Sequence, residues 1–283
     1  MFQPDKIKKS ESLSKHSTFR VGGEAKYFYE CGNTKEIPDL IRWAYHNKLP
    51  FFVLGGGSNV IFPDKGFDGL VIKITASEIK VGKTQITAEA GAKLMQVAKI
   101  AGENDLGGIE EFISIPGSVG GAVRGNAGCF GKEISSVLRA AWILKAGRVQ
   151  KVGKDYFNFS YRYSRLKDTH EVLLKAVFSI HKGCDQKRMK EVLALRKEKQ
   201  PWGLSAGSFF KNPNGASAGE LIEKCGLKGK TFGGAQISEK HANFILNLGS
   251  AKASDILALA KMAQDAVKEK FDVDLEPEVQ IVG

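Results

Sequence analysis

A chain of 283 residues, 42% hydrophobic and 26% charged, is too long for one small core and too apolar to be disordered. Its net charge of +11 comes from lysines spread along the whole length, with no aromatic-interleaved basic cluster, so no nucleic-acid partner is expected. No apolar run approaches the roughly 18 residues that cross a bilayer, and the start Met1-Phe2-Gln3-Pro4-Asp5-Lys6 lacks a secretory signal; the expectation is a cytoplasmic protein without membrane insertion.

The first stretch reads β-α-β. Tyr27 to Cys31 is strand-like, Thr34 offers an N-cap hydroxyl, and Ile37, Leu40, Ile41, Ala44 and Tyr45 recur at helical spacing. Phe51-Phe52-Val53-Leu54 is a buried strand running straight into three glycines, and Leu70 to Ile74 is another. After about residue 75 the pattern changes. Gln85 to Gly91 reads as a strand, followed by an amphipathic helix carrying Leu94, Val97, Ala98 and Ala101. Ala141 to Leu144 and Val172 to Phe178 are strands without helical crossovers, which predicts an α+β module with mostly antiparallel pairing. A charged helix over roughly 186–199 leads to a last module with a short helix near 219–225, a longer one over 254–270 and a final strand over 278–282. The expected divisions are residues 1–75, 76–183 and 184–283.

Cys31, Cys129, Cys184 and Cys225 form no Cys-x-x-Cys pair, which predicts reduced thiols and neither a metal site nor a disulfide framework. Cys129, set among glycines, is the one expected near a ligand.

Three motifs carry chemistry. Gly55-Gly56-Gly57-Ser58-Asn59 leaves a buried strand, and consecutive glycines allow backbone N–H groups to surround an anion, with Ser58 and Asn59 adding side-chain donors. It lacks the Gly-Lys-Ser/Thr ending of a nucleotide-triphosphate loop, and Val60 stands where a dinucleotide fingerprint needs its last glycine. Pro116-Gly117-Ser118-Val119-Gly120-Gly121, continuing to Gly125-Asn126, is glycine-dense enough to be expected irregular. Two such loops suit an extended dinucleotide, a flavin dinucleotide better than a nicotinamide one. The third motif, Gly207-Ser208-Phe209-Phe210-Lys211-Asn212-Pro213, sets a hydroxyl beside an apolar wall, an ammonium and a carboxamide. A buried turn would also use those residues.

Together with Thr18 to Gly23, Tyr161-Arg162-Tyr163-Ser164, Lys240 to Phe244 and Leu275-Glu276-Pro277-Glu278-Val279, these motifs resemble the UDP-N-acetylenolpyruvoylglucosamine reductase family over nearly the whole chain. The resemblance implies a two-subdomain FAD-binding fold of the vanillyl-alcohol-oxidase type, a C-terminal α+β substrate domain, and the compact type II subclass. It implies non-covalent FAD, NADPH as reductant and a UDP-sugar substrate, whose enolpyruvyl ether becomes a lactyl ether in peptidoglycan precursor synthesis. Its catalytic serine, arginine and glutamate fall on Ser208, Arg162 and Glu278. Gly55 to Asn59, Pro116, Gly117, Ser118, Gly120, Gly121, Gly125 and Asn126 fall on the cofactor, and Lys211, Asn212 and Asn243 on the substrate.

Each residue type fits its implied role. A guanidinium fork stabilises a carboxylate gaining charge. A serine hydroxyl can protonate an enolate carbon, and a carboxyl raised in pKa by a dry site can donate to the same enolate. Glu276 lies two residues from Glu278, so spacing alone leaves both open. Lys211 is open between polarising the hydroxyl and holding phosphate, and His241 between acid catalysis and hydrogen bonding in a packed loop. Gln280 stands where the family usually has arginine, which removes a charge there. The competing readings are another flavoprotein on the same scaffold, such as an oxidase of a small sugar or alcohol, whose covalent flavin-attachment motifs are not apparent, and a basic nucleic-acid-binding protein, for which the net charge is the only support.

Overall fold

The structure is a computed structural model that describes residues 2–213 and 215–283. The chain forms two compact units. One draws on the residues up to Lys8, on Tyr27–Gly56 and on Gly69–Arg196; the other on Lys9–Lys26, Gly57–Asp68 and Lys197–Gly283. The boundary falls within the strands Glu24–Cys31 and Phe67–Ile74.

In the first unit, the helix Ile37–His46 buries Ile37, Leu40 and Ala44, a three- and four-residue spacing that keeps one face on the core. Its lead-in turn is capped by Asn33, whose side chain accepts from the Lys35 amide, rather than by the expected Thr34. Phe51–Leu54 then pairs in parallel with the segment from Leu70 to Lys73. The change of pattern after residue 75 is a five-stranded antiparallel sheet. Its order is Arg148–Gly153, Leu138–Lys145, Val172–Ser179, Gln85–Glu89, Ile79–Val81. The outermost strand, Arg148–Gly153, is mostly exposed and rich in charge, so its sequence gives little apolar alternation to read. Helix Leu94–Glu103 buries Leu94, Val97, Ala98 and Ala101 against the same core as Phe112, Phe157 and Phe178. The charged helix spans Gln186–Lys199 and buries only Met189 and Val192.

One expectation is corrected. The second glycine-rich segment is not irregular: Val119–Arg124 is a short helix. Ser118 Oγ caps it by accepting from the Gly121 amide at 3.3 Å. Gly120 is there for packing, since a Cβ would sit 3.2 Å from both the Cβ and the carbonyl of Ala90. Close approach of helix to strand offsets the poor helix propensity of glycine.

The second unit has its own core. Phe19, Val21 and Ile61 pack with Phe209, Phe210, Ile222, Ile237, Ile256, Leu259 and Val279, which come from the far end of the chain. Around it lie the three-stranded sheet Thr231–Phe232, Ala235–Ile237, Ile245–Asn247 and the helices Ala218–Lys224 and Ala253–Phe271. Asp64 anchors the start of the longer helix, accepting from the amides of Ala253 at 2.7 Å and Ser254 at 3.1 Å. Desolvation works against ionisation of Asp64, but hydrogen bonds from Ser254 and Ala253 outweigh it and hold the carboxyl below its usual range. The final strand is shorter than expected: Gln280–Ile281 pairs in parallel with Val60–Ile61. Among the described residues no helix is long and apolar enough to cross a membrane.

Candidate active site

The sequence motifs form two groups, one in each unit. In the first unit the chain leaves Phe51–Leu54 directly into Gly55 and Gly56. A Cβ on Gly56 would lie 2.9 Å from the Gly117 Cα, and one on Gly55 would lie 2.2 Å from Ser118 Oγ. The two glycine loops therefore meet closely, Gly56 against the Gly117 backbone and Gly55 against the Ser118 side chain. Gly117 has φ of 109°, which L residues rarely adopt, and its carbonyl accepts from the Leu94 amide. Val119 and Gly120 donate to the carbonyls of Ala92 and Ala90 at 2.8 Å, stitching the loop to the end of the Gln85–Glu89 strand. Such a side-chain-free surface fits the pyrophosphate of a dinucleotide, which needs close approach of backbone amides more than any one side chain.

Beyond it, Asn126 is 1% exposed and its carboxamide is fully engaged. It donates to Glu133 Oε2 and to the Ser160 carbonyl, both at 2.9 Å, and accepts from the Ser135 amide at 2.9 Å. The Asn126 side chain therefore ties three stretches of its own chain together. Arg162, with φ of 54°, donates from Nη2 to the Gly128 carbonyl at 2.9 Å. Its Nη1 lies 4.0 Å from Glu133 Oε1, and its guanidinium packs over the Tyr161 ring. Glu133, which no motif flagged, thus touches both Asn126 and Arg162. The only sequence signal was a carboxylate seven residues after Asn126. Cys129 is tied down: its thiol donates to the Glu111 carbonyl and lies 3.5 Å from Ser114 Oγ, and Arg196 donates to that hydroxyl. Burial pushes the Cys129 thiol up in pKa, which disfavours the thiolate.

In the second unit the Ser208 run is held along both edges. Gly207 supplies a φ of 80° before it. On one side Ser208 pairs with Phe244, the Phe209 amide donates to the Asn243 carbonyl at 2.7 Å, and the Asn243 carboxamide brackets Phe210. The Phe210 amide donates to Asn243 Oδ1 at 2.9 Å, and Asn243 Nδ2 returns a bond to the Phe210 carbonyl at 2.8 Å. On the other side Lys211 donates to the Glu276 carbonyl, Phe210 pairs with Pro277, and the Phe209 carbonyl accepts from both Glu278 at 2.8 Å and Val279 at 3.4 Å. Two amides on one carbonyl mark a β-bulge at Glu278. Phe209 and Phe210 are buried, while Ser208 and Glu278 are half-buried.

The main-chain settings of the two acidic residues differ. Glu276 is exposed and forms an ion pair with Lys211 Nζ, while the main chain of Glu278 bonds to Phe209 and to Asn59, whose Nδ2 donates to the Glu278 carbonyl at 3.1 Å. Asn212 accepts from the Ala218 amide and supports the start of the Ala218–Lys224 helix. His241 accepts at Nδ1 from the Asn243 amide and packs on Phe244, and burial holds it below the usual imidazole range. The Gly57 carbonyl accepts from the amide and hydroxyl of Thr18, and a Gly57 Cβ would meet the His16 carbonyl at 2.0 Å. Half-buried Ser58 follows. Asn247 was also missed: buried, it donates to the Phe19 carbonyl and accepts from Gly249 and Ala251.

The chain is 42% identical over 283 residues to a UDP-N-acetylenolpyruvoylglucosamine reductase of Listeria innocua, covering 98% of this chain and 95% of that one. The chain belongs to the UDP-N-acetylenolpyruvoylglucosamine reductase family. A reductase of that family from Clostridium botulinum is 42% identical over 279 residues, covering 96% and 91%. The family's C-terminal domain profile matches residues 199–282, and an FAD binding domain profile matches residues 25–153. The crystal structure of the Thermus caldophilus reductase superposes with a TM-score of 0.86 at 32% identity, over 98% of this chain and all of that one. A variant of Phl p 4, a glucose oxidase, shares the fold alone, with a TM-score of 0.50 at 12% identity over 64% of this chain and 42% of that one. The α+β fold is therefore an FAD-binding fold with the reductase family's C-terminal domain, and the protein is a flavin-dependent oxidoreductase.

Proposed function

We propose that the protein reduces the enolpyruvyl ether of UDP-N-acetylglucosamine to UDP-N-acetylmuramate, with NADPH as electron source, as a cytoplasmic step of peptidoglycan precursor synthesis. The observation that carries this reading is the double-edged clamp on the Ser208 run, which ties Ser208 and Glu278 to a shared backbone frame. FAD, when bound, would take a hydride equivalent from NADPH and supply it to the substrate's methylene carbon. Gly55 to Ser58, the backbone of Asn59, Pro116 to Ser118, Gly120, Gly121, Gly125 and the backbone of Asn126 are assigned to hold it.

The protein's own groups have three tasks in this reading. Arg162 receives the substrate carboxylate; its guanidinium, braced by the Gly128 carbonyl, favours charge that grows there. Glu278 faces the enolate that follows and, in its protonated form, donates a hydrogen bond to it. Ser208 delivers a proton to the adjacent carbon, and a positioned hydroxyl suffices because an enolate carbon is strongly basic. Lys211 and Asn212 are assigned to the diphosphate and uridine, with Asn243 acting on the substrate through the segment it brackets. The division at residues 75 and 183 into two cofactor subdomains and a substrate domain belongs to the same proposal.

The test is anaerobic. Protein with FAD bound is reduced by NADPH and then mixed with the UDP-enolpyruvyl sugar. Reoxidation of the flavin with formation of the lactyl ether is the expected result. Reoxidation by oxygen alone, with turnover of a small alcohol, would replace this assignment with an oxidase.

A further inference from the structure

We infer that the Asn59 side chain is a positioning residue for Glu278 rather than a ligand of the cofactor; this rests on the assignment of Glu278 given above. The observation is a bond across 219 positions of sequence: Asn59 Nδ2 donates to the Glu278 carbonyl at 3.1 Å. The same residue accepts at its main-chain carbonyl from the Gln280 amide at 3.1 Å, directly before the parallel pairing of Val60 with Gln280 and of Ile61 with Ile281.

In a regular parallel ladder, a residue that accepts from position j+1 donates its main-chain N–H to the carbonyl of j−1. Residue 59 would then donate its main-chain N–H to Glu278. Here the side-chain amide reaches that carbonyl, at the point where the strand opens into the glycine loop and Gly57 turns to φ of 67°. The asparagine side chain thus adds a bond at the Glu278 carbonyl, next to the ladder. The consequence falls on Glu278. Its N–H is held by the Phe209 carbonyl and its C=O by Asn59, so the main chain on both sides of the residue is tied, each side to a different element. Misplacement of an acid by about 1 Å can cost on the order of 100-fold in rate. Gln280 matters here through its main-chain amide, so the exchange of arginine for glutamine at that position leaves the connection intact.

The experiment is a mutant cycle of wild type, Asn59→Ala, Glu278→Gln and the double variant, with the isosteric Asn59→Asp as a check on folding. Three quantities are read: FAD affinity by flavin fluorescence, the rate of flavin reduction by NADPH, and the rate of reoxidation by the UDP-enolpyruvyl sugar. Asn59→Ala is expected to keep FAD affinity and flavin reduction within about threefold of wild type while reoxidation slows about 10- to 100-fold, and Asn59→Asp to slow reoxidation likewise. In the Glu278→Gln background, Asn59→Ala should cost less than about threefold more, because both changes disable the same group. Loss of FAD affinity of about tenfold or more in both Asn59 variants, with both half-reactions falling together, overturns the inference in favour of a cofactor contact. Full multiplication of the two effects overturns it as well. Normal reoxidation by Glu278→Gln alone removes the assignment of Glu278, and the role of Asn59 falls with it.

Discussion

The two groups of site residues are built on opposite principles. In the first unit, Gly55, Gly56 and Gly120 have no room for a Cβ against Ser118, Gly117 and Ala90, and what matters is the absence of a side chain at each. In the second, Ser208, Asn243 and Glu278 depend on polar groups that fix two distant stretches of chain to the Phe209–Phe210 backbone. The first group is vulnerable to adding a methyl group, the second to removing a donor or acceptor. A flavin dinucleotide needs a long, unobstructed surface, while proton delivery to a carbon needs one hydroxyl in one place.

This contrast can be broken most severely at Ser208. Ser208→Ala should leave flavin reduction by NADPH nearly unchanged and slow reoxidation by the UDP-enolpyruvyl sugar by about 10³-fold or more, measured by stopped-flow absorbance. Equal losses in both half-reactions would move Ser208 to the cofactor. Next in size, Glu278→Gln should slow the same step by about 10²- to 10³-fold. Glu276→Gln, which only releases Lys211 from an exposed ion pair, should change turnover by less than about tenfold. A reversal of that order would exchange the roles of the two carboxylates.

On the other side of the comparison, Gly56→Ala places a Cβ 2.9 Å from a backbone atom that has no side chain to swing away. The expected result is FAD affinity weakened by about tenfold or more at unchanged half-reaction rates once flavin is saturating, read by fluorescence titration. The smallest effect is outside both groups. Asp64→Ala should lower stability by about 1 kcal/mol at neutral pH, reduced by solvent screening because Asp64 is exposed. Since its folded pKa is depressed, this contribution is present above the ordinary carboxyl value of 3.8 and disappears as pH falls through the lower folded one. Denaturant melts of wild type and variant at pH 7 and at acid pH should therefore converge at the acid end.

Much of the fold was legible because it is carried by local pattern. Phe51–Leu54 and Gln186–Lys199 have the bounds that apolar runs and charge periodicity give, and the antiparallel character of the larger sheet follows from strands succeeding one another without crossover helices. The helix Val119–Arg124 was not legible, because Gly120 finds its reason in a close contact with Ala90, thirty residues away. The same holds for the site. The Ser208 run and the glycine loops stand out as motifs, but no local pattern shows that the carboxamides of Asn59 and Asn243 meet main-chain groups of Glu278 and Phe210. A side chain that serves the protein's own backbone and one that serves a ligand have the same sequence signature.

The core that seats Phe19, Val21 and Ile61 beside Phe209, Leu259 and Val279 also bears on biosynthesis. During translation those three early residues leave the ribosome roughly two hundred codons before their partners, while the larger sheet can already close. Their apolar side chains lack these partners until the segment from Phe209 onward has been made, so a ribosome stalled before that segment would hold a nascent chain with part of this core uncovered.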